Sequence, residues 1–361
     1  MVTVVFFGFR KYCRTLYFSF LFLFIFLSAC GQAPTPILTP TPGTSPTLTA
    51  TATETSTATA IEIPTATSTP EPAWYQPLEP ALDGLKYQYA EVVNKRAKIY
   101  ASLQDAAGNT GNYGHLPKFP AYVAYSSTEI QNGVTYYFLP VNYGWMNGED
   151  LQPFNPSTFS GITLTRQVPF RFGWVLDETN SVHSTGTPMR NFQRYQVVHE
   201  VPTSTTKPGY IAIGGDEWLP EEGLALVNPG VPAEVGADIC RFIYVNLKNQ
   251  TLSIFDKCEL VFATLISSGK NSWTFEGSFA IQYKVEYNSI NPPEWSTSEY
   301  YIQAVPYMMF YYGDFGFHGA YWHDNFGTAA SHGCINLSPQ DAKWLYNWAG
   351  MGERVIVSAG N

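Results

Sequence analysis

The stretch 317–348, "FHGAYWHDNFGTAASHGCINLSPQDAKWLYNW", decides the fold of the C-terminal third of this chain. It holds three of the six histidines and one of the five cysteines. Its second half predicts the start of a helix, with Ser338 as N-cap, Pro339 in the first turn and Asp341 three residues after the cap. Gly350 is the predicted end of this helix.

Short β-type runs with hairpin spacings precede that stretch, from Ala237 onward, and "ERVIV" at 353–357 is typical of a closing strand. The chain is 45% hydrophobic, 16% aromatic and 14% charged, with 29 Gly and 26 Pro, which favours a β-rich protein with many turns. The predicted fold class is therefore mostly β, with one short helix directly after Cys334.

Two stretches upstream of Ala237 share a residue pattern. Tyr137 precedes a Trp and a further apolar residue by eight and nine positions, and Tyr210 does the same. The shared pattern predicts two small β-barrels, at 84–160 and 161–232. Both resemble the SH3-like modules of bacterial cell-envelope proteins, and their aromatic residues are expected to be core.

The N-terminus is typical of a secretory signal, residues 1–29, with basic residues before a short apolar run. Its Leu-Ser-Ala-Cys end resembles a bacterial lipobox, which implies cleavage before Cys30 and lipidation of that thiol. The alternative is a retained membrane anchor, although the apolar run is short for a span of about 20 residues. Residues 30–73 are rich in Thr, Pro and Ser and are predicted to be a disordered tether. The remainder is expected outside the cytoplasm, anchored to the membrane and acting at the cell wall.

Charge and cysteine usage agree with this location. The net charge is −9 and no basic run follows the first fourteen residues, so nucleic-acid binding has no electrostatic support. Cys240 and Cys258 end two predicted strands joined by a Lys-Asn-Gln turn, and they form either a disulfide or two buried free thiols. Cys334 is then the unpaired cysteine, a pattern that indicates a reactive thiol.

A nucleophilic thiol needs a base, a group that orients the base, and donors for the developing oxyanion. Gly333 lets backbone N–H groups approach a substrate beside Cys334. Either His332, two residues away, or His318, from an adjacent strand, could serve as the base. The spacing alone does not choose between them.

This segment resembles the active-site segment of the L,D-transpeptidase family, the YkuD domain. The family signature is a His with a small residue after it, then Ser/Thr-His-Gly-Cys, an apolar residue and Asn or Arg. His318-Gly319 and residues 331–336 match it, and the resemblance covers about 237–358.

The resemblance implies that Cys334 is the nucleophile and His318 the general base, oriented by the Gly319 carbonyl. Backbone N–H groups around Gly333 and Cys334 would form the oxyanion hole. The other residues assigned to the site, to shape the loop or thiolate environment or to line the substrate channel, are Ser331, His332, Asn336, Trp322, Tyr307 and His323.

The implied reaction is acyl transfer on peptidoglycan stem peptides, donor and acceptor, giving 3→3 cross-links in wall biosynthesis or remodelling. If water resolves the thioester, the site is an L,D-carboxypeptidase. Carbapenems are the inhibitors that the resemblance suggests, and no metal or organic cofactor is expected.

Two departures from the family pattern concern loop shape. Twelve residues separate His318 from Ser331, a slightly short gap, and residues 274–279 lack the Pro of the usual Thr-Pro-x-Gly-x-Phe. Neither feature is expected to touch the catalytic groups.

Three other functions have less support from the sequence. A zinc site would use His318, His323, His332 and Cys334, but their spacings match no common paired-ligand pattern. A sortase-like enzyme would be expected to have an Arg near the thiol, and none lies within fifteen residues of Cys334. A catalytically inactive wall-binding lipoprotein would act through the two SH3-like modules.

Overall fold

The computed structural model describes residues 74–78, 85–292 and 299–360. The predicted signal segment, the lipidated Cys30 and the linker lie outside these residues. All described residues belong to one compact unit. Within them, no helix has both the length and the apolar character needed to cross a membrane.

The described residues form strands β1–β26 and helices α1 and α2, which fall into three consecutive groups. The first group is β1 (Tyr75–Pro77), β2 (Gln88–Val92), β3 (Ile99–Tyr100), α1 (Leu103–Gly108), β4 (Tyr113–Gly114), β5 (Ala121–Tyr125), β6 (Ser127–Gln131), β7 (Val134–Leu139), β8 (Gly144–Asn147) and β9 (Leu151–Phe154). The second group is β10 (Ile162–Leu164), β11 (Phe172–Val175), β12 (Thr179–His183), β13 (Pro188–Phe192), β14 (Val197–His199), β15 (Tyr210–Gly214), β16 (Glu217–Pro220) and β17 (Leu224–Val227). The third group is β18 (Phe242–Asn246), β19 (Thr251–Asp256), β20 (Glu259–Leu265), β21 (Gly277–Ala280), β22 (Tyr283–Ile290), β23 (Tyr301–Tyr312), β24 (Phe315–Gly319), β25 (Ile335–Leu337), α2 (Pro339–Trp348) and β26 (Arg354–Ser358).

Two seven-stranded sheets carry the C-terminal region. The first has the order β1-β10-β20-β19-β18-β26-β21, and the second runs β25-β24-β23-β5-β2-β9, with β22 also pairing with β23. Three smaller sheets are β4-β3-β8-β7-β6, β14-β11-β17 and β13-β12-β16-β15. The prediction of a mostly β chain with a short helix after Cys334 is confirmed.

Strands from the two upstream stretches continue the C-terminal sheets. Strand β10 pairs antiparallel with β20 through Ile162 and Ala263, and β5 pairs parallel with β23 through Ala121 and Tyr301. These strands satisfy backbone groups that would otherwise form exposed sheet edges. The SH3-like character and the proposed boundaries of the two stretches stay predictions.

Helix α2 begins where the sequence predicts it. The Ser338 hydroxyl accepts a hydrogen bond from the Asp341 N–H at 3.2 Å, and Pro339 occupies the first turn. The helix ends at Trp348 with Ala349 as C-cap, one residue before the predicted Gly350. Its buried face, which includes Ala342 and Leu345, belongs to the same core cluster as residues of β23, β24 and β25.

The predicted hairpin around Lys-Asn-Gln is also present, as β18 and β19. Gln250 lies in the turn with a φ of 50° and Val245 pairs with Leu252. At the open end a disulfide joins Cys240 and Cys258. Of the two alternatives that the sequence left open, the structure has the disulfide.

Candidate active site

Two adjacent parallel strands carry the predicted nucleophile and base. His318 lies on β24 and pairs in register with Asn336 on β25. Cys334 directly precedes β25, two residues before Asn336, so the thiol lies at the start of the strand next to the one that carries His318. His332, two residues before Cys334, has the same spacing but is exposed, whereas His318 is buried on the strand next to β25. The arrangement favours His318 as the base.

The Cys334 thiol is half-buried and forms one contact with the backbone. Its Sγ donates a hydrogen bond to the Asp314 carbonyl at 3.6 Å. Burial raises the pKa of the thiol, the backbone of Gly316 lowers it, and the charge of Asp314 raises it. No hydrogen bond joins Cys334 to His318 among the described residues, so the thiol must turn from Asp314 before it can transfer its proton.

The His318 ring is neutral and offers a free nitrogen. Only 2% of the residue is exposed, and its buried Nδ1 has no hydrogen-bond partner in the described structure. Burial lowers the pKa of His318 to about 4, with a smaller contribution from His323, whereas the Gly319 backbone raises it. A neutral imidazole can accept a proton at the ring nitrogen that carries no hydrogen. The orienting role of the Gly319 carbonyl stays a prediction.

Two hydroxyl groups hold the loop before the thiol. The Ser331 hydroxyl accepts from the Gly333 N–H at 3.0 Å and donates to the Cys334 carbonyl. The Thr274 hydroxyl accepts from the Gly269 N–H at 2.8 Å and donates to the Gly333 carbonyl at 2.8 Å. Thr274, the residue before the missing Pro, thus fixes the backbone directly before Cys334.

The backbone conformation and the close packing at position 333 require a glycine. Its φ is +129°, and a Cβ at this position would lie 2.2 Å from the Phe315 ring. Its N–H already donates to Ser331. Of the two oxyanion donors that the sequence suggests, this leaves the Cys334 N–H available, and the oxyanion role of both stays a prediction.

His332 lies at the rim of the site between two aromatic rings. Its ring centroid is 5.3 Å from that of Trp273 and 5.0 Å from that of Tyr300. Burial lowers the pKa of His332, as does the charge of Lys270. The stacked ring forms part of the wall beside the thiol, consistent with a role in shaping the site.

The predicted channel residues fall in different places. Trp322 packs near the base, with its ring centroid 5.7 Å from that of His318. Tyr307 is 4% exposed and packs 5.7 Å from the Tyr346 ring of helix α2. The structure places Tyr307 in the core, and its role in a channel stays a prediction.

His323 and Asn336 are joined to each other. The Nε2 of His323 lies 2.9 Å from the terminal amide of Asn336, and its Nδ1 accepts from the Asn325 N–H at 3.1 Å. Burial lowers the pKa of His323 to about 4, against the charge of Asp324, which raises it. His323 is thus a neutral ring with both nitrogens engaged.

No cluster of three or more His, Cys, Asp or Glu that could hold a metal ion occurs in residues 74–78, 85–292 and 299–360. A cavity of about 420 Å³ lies in the second upstream stretch, and residues between Pro169 and Trp218 line it.

One buried group near the site escaped prediction. Asp341 is fully buried; its carboxylate accepts hydrogen bonds from the Gly161 N–H at 2.8 Å and the Thr264 hydroxyl at 2.5 Å. Burial raises its pKa to about 6. Only the position of Asp341 after the helix cap was visible in the sequence, because both of its hydrogen-bond partners come from distant segments.

Two other residues near Cys334 were not predicted as part of the site. The Asp314 carbonyl had no signal in the sequence, whereas Thr274 had one in the Thr-x-x-Gly-x-Phe pattern.

The family comparison agrees with this geometry. Residues 241–357 match the model of the YkuD family, the L,D-transpeptidase catalytic domain. A curated relative from Bacillus subtilis (strain 168), "Putative L,D-transpeptidase YciB", is 30% identical over 133 residues, which are 32% of this chain and 65% of the relative.

Solved structures with similar chains carry the same family name. An L,D-transpeptidase from Stackebrandtia nassauensis is 26% identical with a TM-score of 0.29, over 35% of this chain and 59% of that one. The catalytic domain of an Enterococcus faecium L,D-transpeptidase is 28% identical with a TM-score of 0.31, over 34% of this chain and 100% of that one. The chain thus spans less than two thirds of the curated relative and of the Stackebrandtia protein. Residues 241–357 of this chain are a YkuD L,D-transpeptidase catalytic domain.

Proposed function

We propose that this protein is a peptidoglycan L,D-transpeptidase that forms 3→3 cross-links through a thioester on Cys334. The observation that carries the proposal is that the buried His318 ring lies on β24 and that Cys334 directly precedes β25, the parallel strand paired with β24. The YkuD match supports the reaction class.

The first half-reaction forms the thioester. The Cys334 thiol turns from the Asp314 carbonyl and gives its proton to His318 Nδ1 as the sulfur attacks the carbonyl carbon of the third stem residue. The S–C bond forms and the carbonyl π electrons move to oxygen. The tetrahedral intermediate then collapses, the C–N bond to the terminal D-amino acid breaks, and His318 returns its proton to the leaving amine.

The second half-reaction transfers the acyl group. An amine from a neighbouring stem attacks the thioester carbon and passes a proton to His318. The C–S bond breaks, and the sulfur recovers the proton as a thiol. Attack by water in place of the amine would give a trimmed tripeptide, which is the L,D-carboxypeptidase alternative.

The reactants start neutral in this site. The lowered pKa of His318 and the raised pKa of Cys334 favour imidazole and thiol over an imidazolium–thiolate pair. Proton transfer therefore accompanies substrate attack, and the free Nδ1 of His318 is the acceptor that this step needs.

The location of the protein is part of the proposal. A lipid on Cys30 and the linker of residues 30–73 would tether the catalytic domain to the membrane and let it reach the wall. The disulfide between Cys240 and Cys258 supports an oxidising compartment. The two upstream stretches would bind wall peptides if the chain acted as an inactive lipoprotein.

Intact-protein mass spectrometry of the full-length protein with tetrapeptide stems tests the proposal, with Cys334→Ala as the control. We expect a stem-sized adduct on the wild-type protein alone, followed by cross-linked dimers. An adduct that yields only tripeptide would establish the carboxypeptidase instead. A folded protein that gives neither adduct nor product would favour the wall-binding alternative.

A further inference from the structure

His323 has a hydrogen-bonding arrangement that defines where its proton lies. Its Nδ1 accepts from the Asn325 N–H at 3.1 Å, so Nδ1 carries a lone pair. A neutral imidazole has one N–H, which must then be on Nε2. Nε2 of His323 is therefore a donor, yet the Asn336 atom 2.9 Å away is the amide nitrogen, also a donor, and two donors cannot bond until the amide turns by 180°.

This donor sets the orientation of the Asn336 amide. The oxygen and nitrogen of an amide have nearly the same shape, and the hydrogen-bond network decides between the two orientations. Since Nε2 of His323 donates, the amide oxygen of Asn336 faces His323. The NH2 group then occupies the other amide position, which is buried and has no partner among the described residues.

The backbone of Asn336 is held on both sides. Its N–H donates to the Ser267 carbonyl and its carbonyl accepts from the Ser267 N–H, each at 2.9 Å. Its register with His318 and its position two residues after Cys334 place Asn336 beside both predicted catalytic residues. With the backbone held, the contact with His323 is what fixes the amide.

A buried N–H donor without a partner near Cys334 could serve as an oxyanion donor. The Gly333 N–H is engaged by Ser331, so the Cys334 N–H is the one backbone donor of the predicted pair that remains. Side-chain amides serve as oxyanion donors beside a backbone N–H in acyl-transfer enzymes.

Resting on the proposed acyl transfer, we propose that the Asn336 NH2 group donates to the stem carbonyl oxygen as negative charge develops on it. In this proposal His323 is a positioning residue that holds the amide in the donating orientation. The ring of His323 is itself fixed by packing, with its centroid 5.2 Å from that of Phe326 and 5.9 Å from that of Trp322.

Two substitutions of His323 separate its two hydrogen bonds. His323→Gln places an amide N–H near the position of Nε2 and keeps the contact with Asn336. His323→Asn places its polar atom near the position of Nδ1 and keeps only the contact with the Asn325 N–H. We expect His323→Asn to slow acylation of Cys334 by a stem tetrapeptide by about 10–100-fold, and His323→Gln to restore most of the rate.

The role of Asn336 is tested by the same assay. We expect Asn336→Ala to slow acylation by about 100-fold or more, as loss of one oxyanion donor does. Adding His323→Asn to Asn336→Ala should slow it no further, because both changes remove one interaction. His183→Asn, the same change at a half-exposed histidine of β12, is the matched control.

Alkylation of Cys334 by iodoacetamide forms no oxyanion and separates this role from a structural one. We expect its rate to stay within about twofold of wild type in the His323 and Asn336 variants, since neither residue contacts the thiol and alkylation needs no oxyanion donor. The inference is overturned if His323→Asn acylates like wild type, if alkylation slows as much as acylation, or if the double variant loses rate additively.

A measurement without substrate keeps the inference apart from the proposed function. In full-length protein labelled with 15N-histidine, NMR should show His323 as the Nε2–H tautomer. The Nδ1–H tautomer would refute the amide orientation even in an active enzyme. Conversely, a wild-type protein that forms no stem adduct would refute the transpeptidase function, while the tautomer would still decide the orientation of Asn336.

Discussion

Asp341, in the first turn of helix α2, accepts a hydrogen bond from the backbone N–H of Gly161 at 2.8 Å, across 180 residues of chain. The same carboxylate accepts from the Thr264 hydroxyl at 2.5 Å. One buried side chain thus joins the helix that follows the nucleophile, the central sheet and the segment before β10. This contact helps to explain why the upstream stretches and the catalytic domain form one compact unit.

Asp341 should make the stability of the protein depend on pH. Its pKa is about 6 in the folded state, above its ordinary value of 3.8, so folding is favoured when the carboxyl is protonated. This contribution is complete below pH 4 and is lost as pH rises through 6. For Asp341→Asn, the free energy of unfolding relative to wild type should rise by about 3 kcal/mol between pH 4 and pH 7.

Urea denaturation of both proteins across this range measures that difference. Asn can accept from the Gly161 N–H and donate to Thr264, whose hydroxyl can turn to the Leu265 carbonyl at 3.3 Å. A difference that does not change with pH would show that Asp341 is ionised or protonated alike in both states.

In the free enzyme, Cys334 should react with alkylating agents as a thiol whose pKa is not lowered. Burial raises its pKa and lowers that of His318, so the thiolate fraction should increase with pH beyond 9 and show no plateau at acidic pH. Iodoacetamide labelling, mapped to Cys334 by peptide mass spectrometry, gives the profile. A rate that levels off below pH 7 would indicate a Cys334–His318 ion pair instead.

Thr274 should stabilise the loop that carries the nucleophile. Thr274→Val keeps the shape of the side chain but leaves the Gly269 N–H and the Gly333 carbonyl without their partner. We expect a loss of about 2 kcal/mol in the free energy of unfolding and slower acylation of Cys334. Thr274→Ser retains the hydroxyl and should keep both properties; equal losses in the two variants would assign the effect to the methyl group.

The disulfide between Cys240 and Cys258 closes a loop with a sequence separation of 18. Replacing both cysteines by Ser should lower the free energy of unfolding by about 3 kcal/mol through the freedom gained by the unfolded chain. Denaturation with and without dithiothreitol checks this, because the reductant should destabilise the wild type and leave the double variant unchanged. A wild type that is insensitive to the reductant would contradict the prediction.

Carbapenems should acylate Cys334 if the proposed thioester chemistry is correct. The strained lactam carbonyl offers the half-buried thiol an activated acyl donor, and His318 Nδ1 is free to take the thiol proton. Incubation with ertapenem should add one drug mass to the wild-type protein and none to Cys334→Ala. An adduct on both proteins would place the reaction at another group.

Local features of this fold could be predicted because their causes lie within a few residues. The Ser338 hydroxyl and the Asp341 N–H that it caps are three positions apart, and the β18–β19 hairpin has its turn at Lys-Asn-Gln. The proposed nucleophile and base come from a motif, and sequence spacing alone left His318 and His332 as alternatives for the base.

The mostly β class, helix α2 and the Ser-His-Gly-Cys segment follow from the sequence, since they depend on local propensity and on residue types at short spacing. Three relationships required the folded chain: His318 in register with Asn336, Ser331 bonded to the Gly333 N–H, and Thr274 bonded to the Gly333 carbonyl. These contacts follow from strand register and loop packing. A shift of register by one residue turns every side chain to the opposite face, so such contacts are not encoded in any short stretch of sequence.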